Sequence, residues 1–155
     1  PTEGVPLLRA AIPFLVGLLA FAPSRAGAQS AADSMDIRQA ALDYIEGYYD
    51  GDAMRMERAL HPELAKRIVR ADSTGVGWIS SMGASQLIAG TRAGSSREIP
   101  EADRKTIVTI LDVFQNVASA KIDAGPWIDY LHLARVNGRW VIINVLWELL
   151  PRSAS

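Results

Sequence analysis

The residues of this chain best placed for chemistry are acids and tyrosines set among indole and aliphatic groups. The stretch Trp127–Glu148 reads WIDYLHLARVNGRWVIINVLWE, two apolar runs around Asn137-Gly138. Asn-Gly suits both positive-φ positions of a type I′ turn, so the stretch is a predicted hairpin. With Val136 and Arg139 flanking the turn, Arg135 faces Trp140, Leu133 faces Ile142, and Leu131 faces Asn144. Continuing outward, Asp129 faces Leu146 and Trp127 faces Glu148. Alternation puts all of these on one side of a sheet. Asp129 then sits between Trp127 and Leu131, where a carboxyl deprived of water can keep its proton and donate it. The alternative is an Asp at the strand's start, half-wet and bonded to a loop amide or an Arg. An apolar wall carrying a few convergent polar groups is what a small-molecule pocket looks like. Leu131, Leu146 and Trp127 would supply the wall and Asp129 and Asn144 the polar contacts. Glu148, at the rim, is the substitute general base if the site is catalytic.

Further acceptors or donors come from earlier in the chain. Tyr44 and Tyr48 lie one helical turn apart and share a face, either as core residues with satisfied hydroxyls or as pocket donors. His61 precedes Pro62; it either ends a helix or, if turned inward, offers an imidazole base. His132 falls on the opposite sheet face from Asp129, at a surface or interface.

For these groups to meet, a helix must lie over a sheet. Asp33 to Asp50 reads as that helix, capped by Asp33 or Ser34, with Ile37, Ala40, Ala41, Tyr44, Ile45 and Tyr48 at three- and four-residue steps. Gly51 ends it, and Asp52 caps a second helix, Ala53 to Leu60, stopped by His61-Pro62. Extended pieces are predicted at Ala65–Arg70 and Val76–Ile79, a short helix at Ala84–Ala89, and a polar, mobile loop from Gly90 to Pro100. Thr106–Phe114 and Val117–Asp123 are β-branched strands meeting at Gln115-Asn116. Their apolar face would hold Leu111, Val113, Ala118, Ala120 and Ile122, their polar face Asp112, Ser119 and Lys121. The expected architecture is α+β: helices packed on a strongly curved antiparallel sheet, forming a cone open at one end.

The bulk numbers agree with one domain. The chain has 155 residues, 49% hydrophobic, net charge −1 and pI ≈ 6.2, enough to bury a core. No basic excess marks a nucleic-acid partner. Cys is absent and His numbers 2, so no metal site is expected, and no phosphate-binding glycine loop announces a cofactor. Residues 1–28 read as an export signal: Arg9, the apolar run Ala10–Ala22, and the small-x-small Ala26-Gly27-Ala28. That run is too short to span a bilayer. The expected product is residues 29–155, one exported domain (periplasmic or secreted) with no stable membrane insertion. The hairpin's second face, with Ala134, Val141, His132, Ile143, Tyr130, Val145, Ile128 and Trp147, is apolar enough to need a cover, for which a second copy of the chain is expected.

Helix–Gly51-Asp52–helix–His61-Pro62, followed by DVFQNVASAKI (112–122) and the Asn-Gly hairpin, resembles the family described as "Putative lumazine-binding". That family lies in the superfamily of nuclear-transport-factor-2-like cones, with ketosteroid isomerases and polyketide cyclases. The resemblance covers roughly residues 35 to 150 and implies the cone fold. The superfamily hosts isomerases, dehydratases, cyclases and non-catalytic binders. Similarity to the isomerases implies that Tyr44, eight residues before Asp52, and Asp129, within GPWIDY, correspond to an oxyanion-hole pair. The position matching the isomerases' catalytic Asp is Ile68, which cannot take a proton. The expectation is therefore a non-catalytic pocket for a small apolar or aromatic ligand. One alternative is an enzyme using Glu148 or His61 for proton transfer beside a Tyr44/Asp129 oxyanion hole. Another is a structural dimer module whose cone is filled by its own side chains.

Overall fold

The computed structural model describes residues 25–151, so the expected export signal lies outside the described residues as far as residue 24. The first helix, α1 (Arg25–Asp50), buries Ile37, Ala40, Ala41, Tyr44 and Ile45 at the predicted spacing. It begins at Arg25 rather than at Asp33, since the alanine-rich run before Asp33 favours helix. Asp33 is therefore no cap. Its carboxylate accepts from Arg135 at 2.8 Å and from the Trp140 indole at 3.2 Å, tying α1 to the last hairpin. Gly51 turns the chain at φ +71°, and Asp52 accepts from the Met54 and Arg55 amides to cap α2 (Ala53–Ala59). Arg55 and Arg58 each reach back to Asp43 at 2.9 Å, fastening α2 against α1.

The strands are β1 (Leu60–Ala71), β2 (Gly77–Met82), β3 (Ile107–Phe114), β4 (Val117–Asp123), β5 (Trp127–Val136) and β6 (Arg139–Leu149), with α3 (Ala84–Ala93) between β2 and β3. The sheet runs β2-β1-β6-β5-β4-β3, antiparallel except where β1 lies parallel to β6. This α+β fold is a curled, unclosed sheet whose inner face packs on α1, with α3 set against β1. Instead of merely stopping α2, His61-Pro62 opens β1. The helix predicted to end at Ala89 continues to Ala93 and closes on Gly94 in the left-handed region. The following segment is folded down rather than loose: the buried Ser96 hydroxyl donates to the carbonyls of Tyr48 (2.8 Å) and Tyr49 (3.2 Å) at the end of α1.

Both hairpins turn where predicted, Asn137 and Gly138 taking φ +51° and +79°. Both also carry a bulge that corrects the expected faces. In β3, pairing shifts between Ile110 and Asp112, so Leu111 is exposed and Ile110 and Val108 face inward instead. In the last hairpin, Leu133 pairs with Ile142 as expected, but His132 then pairs with Asn144, leaving Ile143 as the extra residue. Beyond this point Asp129 faces Trp147, and Trp127 faces Leu149. The one-residue slip swaps sides for the rest of β6. It brings Val145 and Trp147 inward and turns Asn144, Leu146 and Glu148 outward, which spares the core two polar groups.

Gly125 shows how tightly the entry to β5 is packed. A Cβ there would lie 1.8 Å from the Asp103 carbonyl, at φ +92°. Gly75 has a similar φ of +86° but nothing within 4 Å. Gly125→Ala is expected to cost about 3 kcal/mol or more, and Gly75→Ala about 1–2 kcal/mol. Urea denaturation of both variants checks this, and equal losses would refute the packing argument.

Candidate functional site

Where α1 crosses β1 and β5, four side chains form one buried network. Asp129 has no exposed surface at all. Its Oδ2 accepts from the Trp127 indole at 2.8 Å and from the Tyr44 hydroxyl at 3.3 Å, and its Oδ1 takes the Lys66 ammonium at 3.2 Å. Lys66, only 6% exposed, also donates to the Tyr44 hydroxyl. Its ammonium lies 5.1 Å from the centre of the Tyr44 ring and 4.7 Å from that of Trp147, within reach of both π faces.

The local reasons are simple. In β1, Leu64, Lys66 and Ile68 alternate inward while Arg67 and Val69 point outward, so one cation is delivered to the core face. In β5, Trp127, Asp129 and Leu131 do the same for one anion and one indole donor. A buried charge persists when paired and hydrogen-bonded, and each here is the other's counter-ion. Burial pulls the Lys66 amine below its ordinary value, against the opposing pull of Asp129. Burial, with the Asp129 charge added, holds the Tyr44 phenol well above its ordinary value. All three partners of Asp129 donate to it, so the side chain expected to give a proton to a ligand is instead an acceptor held by the protein.

Above this network lies a cavity of about 430 Å³. Tyr44, Tyr48, Lys66, Trp127 and Trp147 line its inner end, and Leu87, Ile99, Met82, Pro126 and Leu149 supply most of its apolar wall. Arg70, Gln86 and Ser95 are its remaining polar side chains. Tyr48 stacks edge-on against Trp127, ring centres 5.8 Å apart, and its hydroxyl has no partner among the described residues. Burial, then the Asp129 charge, raises the Tyr48 phenol, which keeps it a donor at neutral pH. The Trp147 indole N–H is buried without a partner among the described residues.

Of the residues singled out from sequence, Tyr44, Tyr48 and Trp127 line the cavity. Asp129 lies behind that wall, and Leu131 is packed in the core without reaching it. Asn144 and Leu146 do not line it. The bulge puts Leu146 on the outer face, 43% exposed, and lets Asn144 bond Arg67 there at 2.8 Å. Neither base candidate faces the cavity: Glu148 is exposed on the outer face, and His61, at the start of β1, accepts from the Glu63 amide at 3.2 Å. Tyr49 is a packing residue whose hydroxyl donates to the Ala124 carbonyl. Lys66, Arg70 and Trp147 were missed from sequence. The alternation Leu64-Lys66-Ile68 was the available signal for Lys66; Trp147 was hidden by the bulge.

The family described as "Putative lumazine-binding" matches residues 32–148. No curated protein matches the chain. Solved structures share the fold at low identity. One is a nuclear-transport-factor-2-like protein with a cystatin-like fold from Novosphingobium aromaticivorans: 16% identity, TM-score 0.60, covering 89% of this chain and 95% of that one. Another, of unknown function, comes from Shewanella baltica: 17% identity, TM-score 0.59, covering 78% and 96%. A third, from Methylobacillus flagellatus, has 18% identity and TM-score 0.61, covering 77% and 94%.

The pairing predicts a non-additive response. Lys66→Met strands a fully buried carboxylate and should cost about 3–5 kcal/mol. Adding Asp129→Asn to it should recover a large part of that loss, read as a coupling energy from urea denaturation. If the double variant loses as much as the sum of the singles, the two groups do not depend on each other.

Proposed function

Given a chain that belongs to the "Putative lumazine-binding" family, with the nuclear-transport-factor-2-like, cystatin-like fold, we propose a non-catalytic receptor that holds a small, largely apolar or aromatic molecule in the cavity between α1, α3 and the sheet. One observation carries this: the cavity is apolar-walled and about 430 Å³, yet presents at its inner end the Lys66 amine and the Tyr48 hydroxyl, which has no partner among the described residues. That volume sits toward the small end of the roughly 300–1,000 Å³ usual for such pockets, and suits one or two rings. A cone filled by its own side chains would leave no such space. The enzyme alternative loses its geometry, because Glu148 and His61 do not line the cavity and Ile68 is aliphatic.

The receptor reading extends to assembly and location. Tyr130, Ile143, Leu146, Val117 and Phe114 stay exposed on the outer sheet face, interspersed with Lys121, Arg67, Asp112 and Glu148. A mixed-charge apolar face of this kind suits an isologous dimer. Export rests on the signal-like residues 1–28, and cleavage after Ala28 would leave the cavity-facing turns of α1 intact.

A neutral naphthylamine dye should bind saturably with one site per chain, read by its own fluorescence. Leu87→Arg, or Trp127→Ala, should weaken it about tenfold or more; no saturable binding by wild type would sink the receptor reading. Light scattering should give a dimer mass that Tyr130→Glu with Leu146→Glu halves.

A further inference from the structure

The charges around the cavity are of one sign. Among the described residues that line it, Lys66 and Arg70 are cationic and none is acidic. The two cations are not equivalent. Lys66 is answered by Asp129 from behind the wall at 3.2 Å. Arg70 is on the same inward register of β1, four residues further along, where the strand runs out toward solvent. Its guanidinium has no ion pair or hydrogen bond among the described residues. Glu148 shares a shallow outer hollow with Arg70, but the two form no ion pair. The cavity thus has a largely aliphatic wall, aromatic side chains at a neutralised inner end, and at its mouth a planar, two-pronged donor with no ion pair among the described residues. Guanidinium matches a carboxylate with two parallel bonds, and a neutral amide or alcohol with at most part of that geometry.

We propose that the molecule this cavity takes is a small organic acid, its apolar or aromatic body against Trp127, Trp147 and Leu87 and its single carboxylate held by Arg70. This rests on the receptor reading above and narrows it to one chemical class. Nothing covalent is involved. The acid binds as its anion, and the Lys66–Asp129 pair remains the neutral floor beneath it.

The test is calorimetric titration with three matched pairs: phenylacetate, 4-phenylbutyrate and 2-naphthylacetate, each against its primary amide. For at least one pair the acid should bind about tenfold or more tighter than the amide, and raised salt should weaken the acid selectively. Arg70→Gln should bring that acid down to the level of its amide and leave the amide unchanged. Arg67→Gln, on the outer face, should alter neither. Equal affinity of acid and amide overturns the inference, as does a preference that survives Arg70→Gln or falls equally with Arg67→Gln. If no acid binds while the neutral dye does, the organic-acid class is wrong and the receptor reading stands. If the dye fails too, both fall.

Discussion

The arrangement depends on one buried ion pair. Lys66 and Asp129 come from strands on opposite sides of β6, and neither could be carried into an apolar core alone. Together with the Tyr44 hydroxyl and the Trp127 indole they satisfy one another across the inner face of the sheet. The pair links β1 to β5, and Tyr44 links both to α1. A buried pair of this kind need not add stability over an apolar replacement. What it does here is fix the relative placement of three elements, because a slip of one residue in either strand would turn one of the charges to the wrong side.

That placement explains why there is a cavity above the network and not packed side chains. With Tyr44 drawn toward Asp129, the next turn of α1 presents Tyr48, which leans edge-on against Trp127 and lines the cavity beside it. The segment after α3 is anchored by Ser96 to the end of α1, so Ile99 and Ser95 form a wall without closing the mouth. Asp129, Lys66, Tyr44 and the Trp127 indole satisfy one another at the floor, leaving an apolar-walled interior into which Tyr48, Arg70, Gln86 and Ser95 still present polar groups. Such an interior binds by shape and by one or two directed contacts.

The bulge in β6 does comparable work at the level of the sheet. Without it Glu148 and Asn144 would face the core, and Trp147 would face solvent. With it, Trp147 closes the cavity beside Lys66 and the outer face gains a mixture of charges and exposed apolar groups. One inserted residue therefore sets both what lines the pocket and which side chains the outer surface exposes.

Much of this could be read from the amino-acid order. Helical spacing gave the inward face of α1. Asn137-Gly138 and Gln115-Asn116 gave both tight turns, and alternation in the β5 half of the hairpin put Trp127 and Asp129 on one face with Tyr44 and Tyr48 opposite. These are local properties, set by backbone conformation within a few residues. Three features were not local. The bulge at Ile143 depends on how β6 must satisfy β1 on one side and β5 on the other, and this reversed the faces of Asn144, Leu146, Glu148 and Trp147. The folding-down of the segment after α3 depends on Ser96 reaching carbonyls at the end of α1. The role of Lys66 depends on a partner 63 positions away. A lysine in a short strand is expected at the surface, and only the tertiary structure brings up the carboxylate that lets its charge be buried.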